Sequence, residues 1–144
     1  MTQAQDRDDL RQKIAEGKAR RAAKTKALAT SAADRREENE ARLIDLEVEH
    51  DLTLGVDLGV VWCRSGDFVA IKKPDLLAHE RYVLKCANGA VTTQDVDRYL
   101  ENAILWPAKG HQEALWRAEP QAKIAACEVA QAMCEVQEKV IAGK

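Results

Sequence analysis

From Asp6 to Arg42 the chain offers only three large aliphatic side chains, Leu10, Ile14 and Leu28, and neither an aromatic residue nor a proline. Burial of apolar surface is the dominant favourable term in folding, so this stretch cannot make a core of its own. Whatever folds must be built from the residues that follow. The segment is rich in Ala, Lys, Arg and Glu, which are good helix formers, but its apolar stripe is too thin to bury much surface. The expectation is a long helical arm, residues 1–42, projecting from a domain of residues 43–144. Gly17 and the Thr30-Ser31 pair are its weak points.

Charge within the arm is segregated. Arg11, Lys13, Lys18, Arg20, Arg21, Lys24 and Lys26 stand against the single Glu16, whereas Asp34 to Asp51 holds eight acidic residues against Arg35, Arg36 and Arg42. The seven basic residues are candidates for an electrostatic contact. No aromatic side chain interleaves with them for base stacking, and the whole chain carries a net charge of −2, so nucleic acid is not the expected partner.

The pattern changes near residue 44. Ile44, Leu46 and Val48 alternate with Asp45, Glu47 and Glu49, the period of a half-buried strand. "VDLGVVWCRSGDFVAIKKP" then reads as two strands around a Ser65-Gly66 turn, which makes a small antiparallel sheet of about three strands. The glycines of "GVDLG" lack the Gly-Lys-Ser/Thr ending of a phosphate loop and read as a strand bend or bulge.

Pro74 suits the first turn of a helix through "DLLAHERYVLKCANG", with Leu76, Leu77, Tyr82, Val83 and Cys86 on a shared face and Asn88-Gly89 as its stop. Thr92 and Asp95 form a capping box for a second helix that runs to Trp106 and is ended by Pro107. "KGHQEALWRAE" reads as a short helix, and Pro120 opens a last one on which Ala122, Ala126, Val129, Met133, Val136 and Val140 recur at steps of four and three. Cys127, Ala130, Cys134 and Ile141 form a second row beside it, so this helix is more apolar than one core face needs. The fold class expected is α+β: a small antiparallel sheet packed with a mainly helical C-terminal half, plus the arm.

Catalytic patterns are not found. His50, His79 and His111 lie far apart, and none has a cysteine at zinc-ligand spacing. His79-Glu80 lacks a second histidine four residues on, where Val83 stands, and Ser65 occupies a hairpin turn that favours Ser-Gly for its own reasons. Cys63, Cys86, Cys127 and Cys134 include no Cys-x-x-Cys pair and read as reduced, buried thiols, with Cys127 and Cys134 as core residues. The polar N-terminus has no signal-peptide core, and no apolar run is long enough to span a membrane. No enzyme, no cofactor and no metal is expected.

The order of elements carries a resemblance. "FVAIKKPDLLAHERYV" leads to "TTQDVDRYLENAILWP", then to "HQEALWRAEP" and an apolar terminal helix. This resembles the tail assembly chaperones of tailed bacteriophages, over about residues 55–142. Lys73-Pro74 matches the family's strand-ending segment, Ile104-Leu105-Trp106-Pro107 its "Val-Val-Tyr-Pro"-like segment, and Leu115 and Pro120 its "Phe-x-x-Leu-x-x-x-x-Pro" helix. The resemblance implies a protein of the host cytoplasm, without catalysis, that shields the helical tape-measure protein until tail-tube subunits replace it. It acts in multiple copies or as a homo-oligomer. Candidate partner-binding residues are Trp106, Leu115, Trp116, Met133, Val136 and Val140. The long arm departs from the family pattern and leaves an alternative: a virion structural or scaffolding protein whose basic arm holds nucleic acid or another structural protein.

Overall fold

The computed structural model describes residues 2–135. Helix α1 runs without interruption from Gln3 to His50. Thr2 caps it in a reciprocal box with Gln5, and Asp51 ends it in the left-handed conformation, its N–H donating to Glu47 and Val48 carbonyls. The strand expected at residues 44–48 is therefore the last turns of this helix. Its two buried residues, Leu43 and Leu46, are three apart, while Ile44 and Val48, four apart, are 58% and 78% exposed. Spacing of three and four is helical, and the acidic residues between them are ordinary helix formers.

Strands β1 (Leu58–Trp62) and β2 (Phe68–Lys72) form the expected hairpin, with Val60 opposite Ala70. Helix α2 covers Leu76–Ala87. Asp75 is its cap, accepting from the Ala78 N–H at 2.7 Å, so Pro74 precedes the helix instead of lying in its first turn. Helix α3 (Thr93–Leu100) begins at the Thr92–Asp95 capping box. It stops six residues earlier than expected, and Ile104–Trp106 form strand β3 against β2. The cause lies in what β2 offers. Lys72 donates to the Ala103 carbonyl at 2.8 Å, Ala70 pairs Trp106 and Ile71 pairs Ile104 across a bulge. A sheet edge that satisfies backbone groups and sits between two apolar layers outweighs one more helical turn of Ile, Leu and Trp. Helices α4 (Lys109–Ala118) and α5 (Pro120–Cys134) follow, with Pro120 at the head of α5.

The result is α+β, a three-stranded antiparallel sheet in the order β1-β2-β3 with helices on both faces. Strand alternation sorts the two cores. Leu58, Phe68 and Ala70 face Leu43 and Leu46 of α1, while Val69 and Ile71 face Tyr82, Tyr99, Leu100 and the small residues Ala122, Ala126, Cys127 and Ala130 of α2, α3 and α5. Gly59 lies in regular register in β1, without a bulge, and a Cβ there would run into Val129 Cγ1 of α5. The boundary expected at residue 42 falls inside α1. The helix touches the hairpin from Ala32 onward, through Gly66, and its free part from residue 3 to 31 is roughly 40 Å long at 1.5 Å per residue.

Candidate partner-binding surface

Two of the tryptophans are committed to the root of the arm. Trp62, Phe68 and Trp106 stand side by side on the three strands, with ring centroids 5.4 and 6.1 Å apart. Arg36 lies 4.6 Å over Trp62 and Arg42 lies 4.4 Å over Trp106, so α1 grips this aromatic row through two guanidinium groups. Arg35 pairs with Asp67 at 3.4 Å, and Asn39 donates to the Gly66 carbonyl at 2.9 Å. Arg35 and Arg36 and the neighbouring Arg42 belong to the stretch from Asp34 to Asp51 in which acidic residues outnumber basic ones. Only the spacing of Arg36, Asn39, Leu43 and Leu46 could have revealed a docked face.

Trp106 is thus half-buried in the α1-side core. Leu115 and Trp116 on α4, and Met133 on α5, are half-buried against the opposite core. Val136 and Val140 lie outside the described residues. Trp106 and Leu115 nevertheless meet, lining with Phe68, Pro107 and His111 a cleft of about 330 Å³ that neither Trp116 nor Met133 lines, so the four described candidates do not form a single patch. Arg11, Lys13, Lys18, Arg20, Arg21, Lys24 and Lys26 are all exposed on α1. At about 100° per residue, Arg11, Lys18 and Lys26 point one way, and Lys13, Arg20 and Lys24 the other, so the positive charge surrounds the helix instead of forming one stripe.

The surplus of apolar surface sits on α2. Of the five residues expected to share its core face, only Tyr82 is buried. Leu76 is 71% exposed, Leu77 57%, Val83 48% and Leu84 64%. At helical spacing these four flank Glu80 on one outward face, and the opposite side, through Ala78 and Tyr82, meets the core. Leu77 and Leu84 also line a groove of about 490 Å³ between α2 and α3, rimmed by Arg81, Lys85 and Arg98 and by Asp75, Asp95 and Glu101. Beyond Tyr82 a second cleft of about 500 Å³ holds the exposed Val91 and Ile124.

Beneath this face the polar groups are structurally engaged. Tyr82 and Tyr99 stack at 4.3 Å with planes 4° apart. The Cys127 thiol donates to the Tyr82 hydroxyl at 3.3 Å, and the Tyr99 hydroxyl lies 2.8 Å from His79 Nδ1. Burial pushes both tyrosine hydroxyls and the Cys127 and Cys134 thiols up from their ordinary values. It also pushes Cys63 up to about 11, with Glu119 and Asp67 adding to the effect. Such thiols stay protonated near neutral pH and are poor nucleophiles. Only Cys127 of the four is buried; Cys63 and Cys134 are half-buried and Cys86 is exposed, so the expectation of four buried thiols is corrected. Ser65 Oγ engages Asp67 at 3.1 Å within the turn. Among the described residues no group of three or more His, Cys, Asp or Glu side chains is placed to hold a metal, and no helix is long and apolar enough to cross a membrane.

No protein-family model, curated protein or solved structure matches this chain.

Proposed function

We propose that this protein is a non-catalytic binding protein, a phage tail assembly chaperone that holds the tape-measure protein in soluble form in the host cytoplasm. The observation that carries this reading is the outward face of α2, where Leu76, Leu77, Val83 and Leu84 are exposed together. A helical face of aliphatic residues beside a groove is the surface that an amphipathic helix covers with its own apolar stripe. The charged rim of Arg81, Lys85 and Arg98 against Asp75, Asp95 and Glu101 can fix the direction in which that helix lies. A tape-measure protein offers many such helical turns along its length, so several copies bound side by side gain avidity from modest single contacts.

The test is co-expression with the tape-measure protein of the same phage and purification at low and high salt. The expected result is a soluble complex that survives high salt and is lost when Leu77→Glu and Leu84→Lys are combined. Both side chains are already exposed, so the variant's unfolding midpoint should match that of the parent. Absence of any complex, or a complex indifferent to these substitutions, would refute the reading. Retention that disappears with salt, and depends on Arg11, Lys13, Lys18, Arg20, Arg21, Lys24 and Lys26, would instead favour a structural or scaffolding protein acting through its arm.

A further inference from the structure

β1 is an outer strand of the sheet, and its backbone phase can be read from its ends. Cys63 donates to the Asp67 carbonyl at 2.8 Å and Lys73 to the Asp57 carbonyl at 2.9 Å. In an antiparallel ladder alternate residues exchange both bonds, so positions 57, 59, 61 and 63 bond to β2, while Leu58, Val60 and Trp62 turn their N–H and C=O groups outward. The groups of Leu58 are already taken by the preceding loop, through its N–H to the Thr53 carbonyl at 3.3 Å and its carbonyl from the Gly55 N–H at 2.9 Å. Val60 and Trp62 are left with two donors and two acceptors that have no backbone partner among the described residues.

Open edges in native sheets are usually blunted by a charge, a proline, a bulge or shortness. The opposite edge of this sheet has two such devices: β3 is three residues long and bulged against β2. β1 has none of them, since Leu58-Gly59-Val60-Val61-Trp62 contains no charge and no proline and pairs with β2 in continuous register. Its surroundings are apolar as well. Leu54 and Val56 in the loop beside it are 44% and 65% exposed. The Leu54 N–H reaches the Glu47 carboxylate at 3.3 Å, which brings the loop against the flank of α1 that carries Ile44 and Val48.

We propose that this edge pairs with β1 of a second copy of the chain, antiparallel about a two-fold axis at Val61, to make a continuous six-stranded sheet. In that register Val60 faces Trp62 of the partner subunit and Trp62 faces Val60 of the partner subunit, so the two donors and two acceptors of each copy are all satisfied by the other. The open stretch is closed by the loop at Leu58 on one side and by the hairpin turn after Cys63 on the other. A long extended peptide would gain no more bonds than a second copy does. A second copy presents the same short open stretch, closed at Leu58 and after Cys63 in the same way, so the two edges match in length and in donors and acceptors, as an isologous interface requires.

The experiment is sedimentation of the full chain from low to several hundred micromolar, with hydrogen exchange on the same samples. The expected result is a mass that doubles with concentration while the Val60 and Trp62 amides become protected. Val60→Pro removes an outward donor and no β2 bond, and an edge strand tolerates proline there, so this variant should keep its far-UV spectrum and stay at half that mass. If Val60→Pro fails to fold, exchange in the wild-type chain decides the matter, since protection at the Val60 and Trp62 amides that grows with concentration is specific to this edge. A wild-type monomer throughout the range, a dimer that forms without that protection, or a dimer that persists in a folded Val60→Pro variant, overturns the proposal. Loss of the dimer on Leu77→Glu/Leu84→Lys would place the contact on α2 and overturn it too.

Discussion

Gly66 is where the arm meets the folded body, and replacing it with alanine measures that contact. Its φ is +89°, and an added Cβ would strike the Ala32 carbonyl of α1 and lie 3.0 Å from both Arg35 Cβ and the Arg36 nitrogen. These are mostly backbone atoms of a continuous helix, so they cannot swing aside as a side-chain tip would. The left-handed backbone costs an L residue about 1–2 kcal/mol and overpacking typically ~1–3 kcal/mol, so Gly66→Ala should destabilise by about 2–5 kcal/mol. Gly89→Ala supplies the control: its φ is +70°, but no atom lies within 4 Å of the added Cβ. The entropy lost by the unfolded chain is common to both substitutions and cancels in their difference. Urea unfolding followed by tryptophan fluorescence should therefore show a shift for Gly66→Ala larger by about 1–3 kcal/mol, the overpacking part. If α1 lifts off before the sheet unfolds, Trp62 loses Arg36 and its emission moves to the red in a separate early phase. Equal midpoints for the two variants would refute the view that α1 is packed tightly on the hairpin.

Two further outcomes follow from the capping and the titrating groups. Thr92→Ala removes the hydroxyl that accepts from the Asp95 N–H at 3.3 Å and should cost about 1 kcal/mol in urea unfolding. The Thr92 backbone N–H and hydroxyl hold the Asp95 carboxyl below its ordinary value of 3.8, so the carboxylate half of the box contributes above that pH and is lost as pH falls; the gap in thermal unfolding between parent and variant should narrow in acid without closing. At the alkaline end the sign is opposite. Burial raises Cys63 from 9.0 to about 11 and also raises Cys127, Cys134, Tyr82 and Tyr99, so the folded state holds protons more tightly than the unfolded one. Their contribution is full below pH 9.0 and disappears as pH rises through the folded values, so melting temperature should fall steeply above pH 9.0. Alkylation at mild pH should label the exposed Cys86 first and the buried Cys127 last; the reverse order would contradict the packing of α5.

Much of the fold was legible wherever a local rule suffices. The Ser65-Gly66 hairpin, the Thr92–Asp95 box and Pro120 at a helix start each depend on a few adjacent residues, and each is found. The errors share one cause. Leu43 to Val48 fits both a period of two and a helical spacing, and what decides between them is the sheet face of Leu58, Phe68 and Ala70, further along the chain, against which Leu43 and Leu46 pack. Ile104-Leu105-Trp106 fits a helix until β2 is there to pair with it. Both segments are short, and over so few residues local pattern leaves helix and strand open and tertiary contacts choose. The count of three strands therefore held while the third strand changed identity.

The same limit governs the candidate surface. A helical stripe shows which residues share a face, not whether that face is covered. Tryptophan invites assignment as an anchor, yet Trp106 is held under Arg42 and Trp116 rests against the core, whereas Leu76, Leu77 and Val83, expected to share a face with Tyr82, are left open together with Leu84. The reason is arithmetic of layers. A three-stranded sheet has two faces; α1 takes one, and α5, with four buried small residues, lies close on the other. Alanines at Ala122, Ala126 and Ala130 bring α5 near enough to the strands that Gly59 has no room for a Cβ. With α5 seated this tightly, α2 reaches the core through Ala78, His79 and Tyr82, and its larger aliphatic residues point away. An apolar face created by the smallness of its neighbours can be deduced only after the neighbours are known.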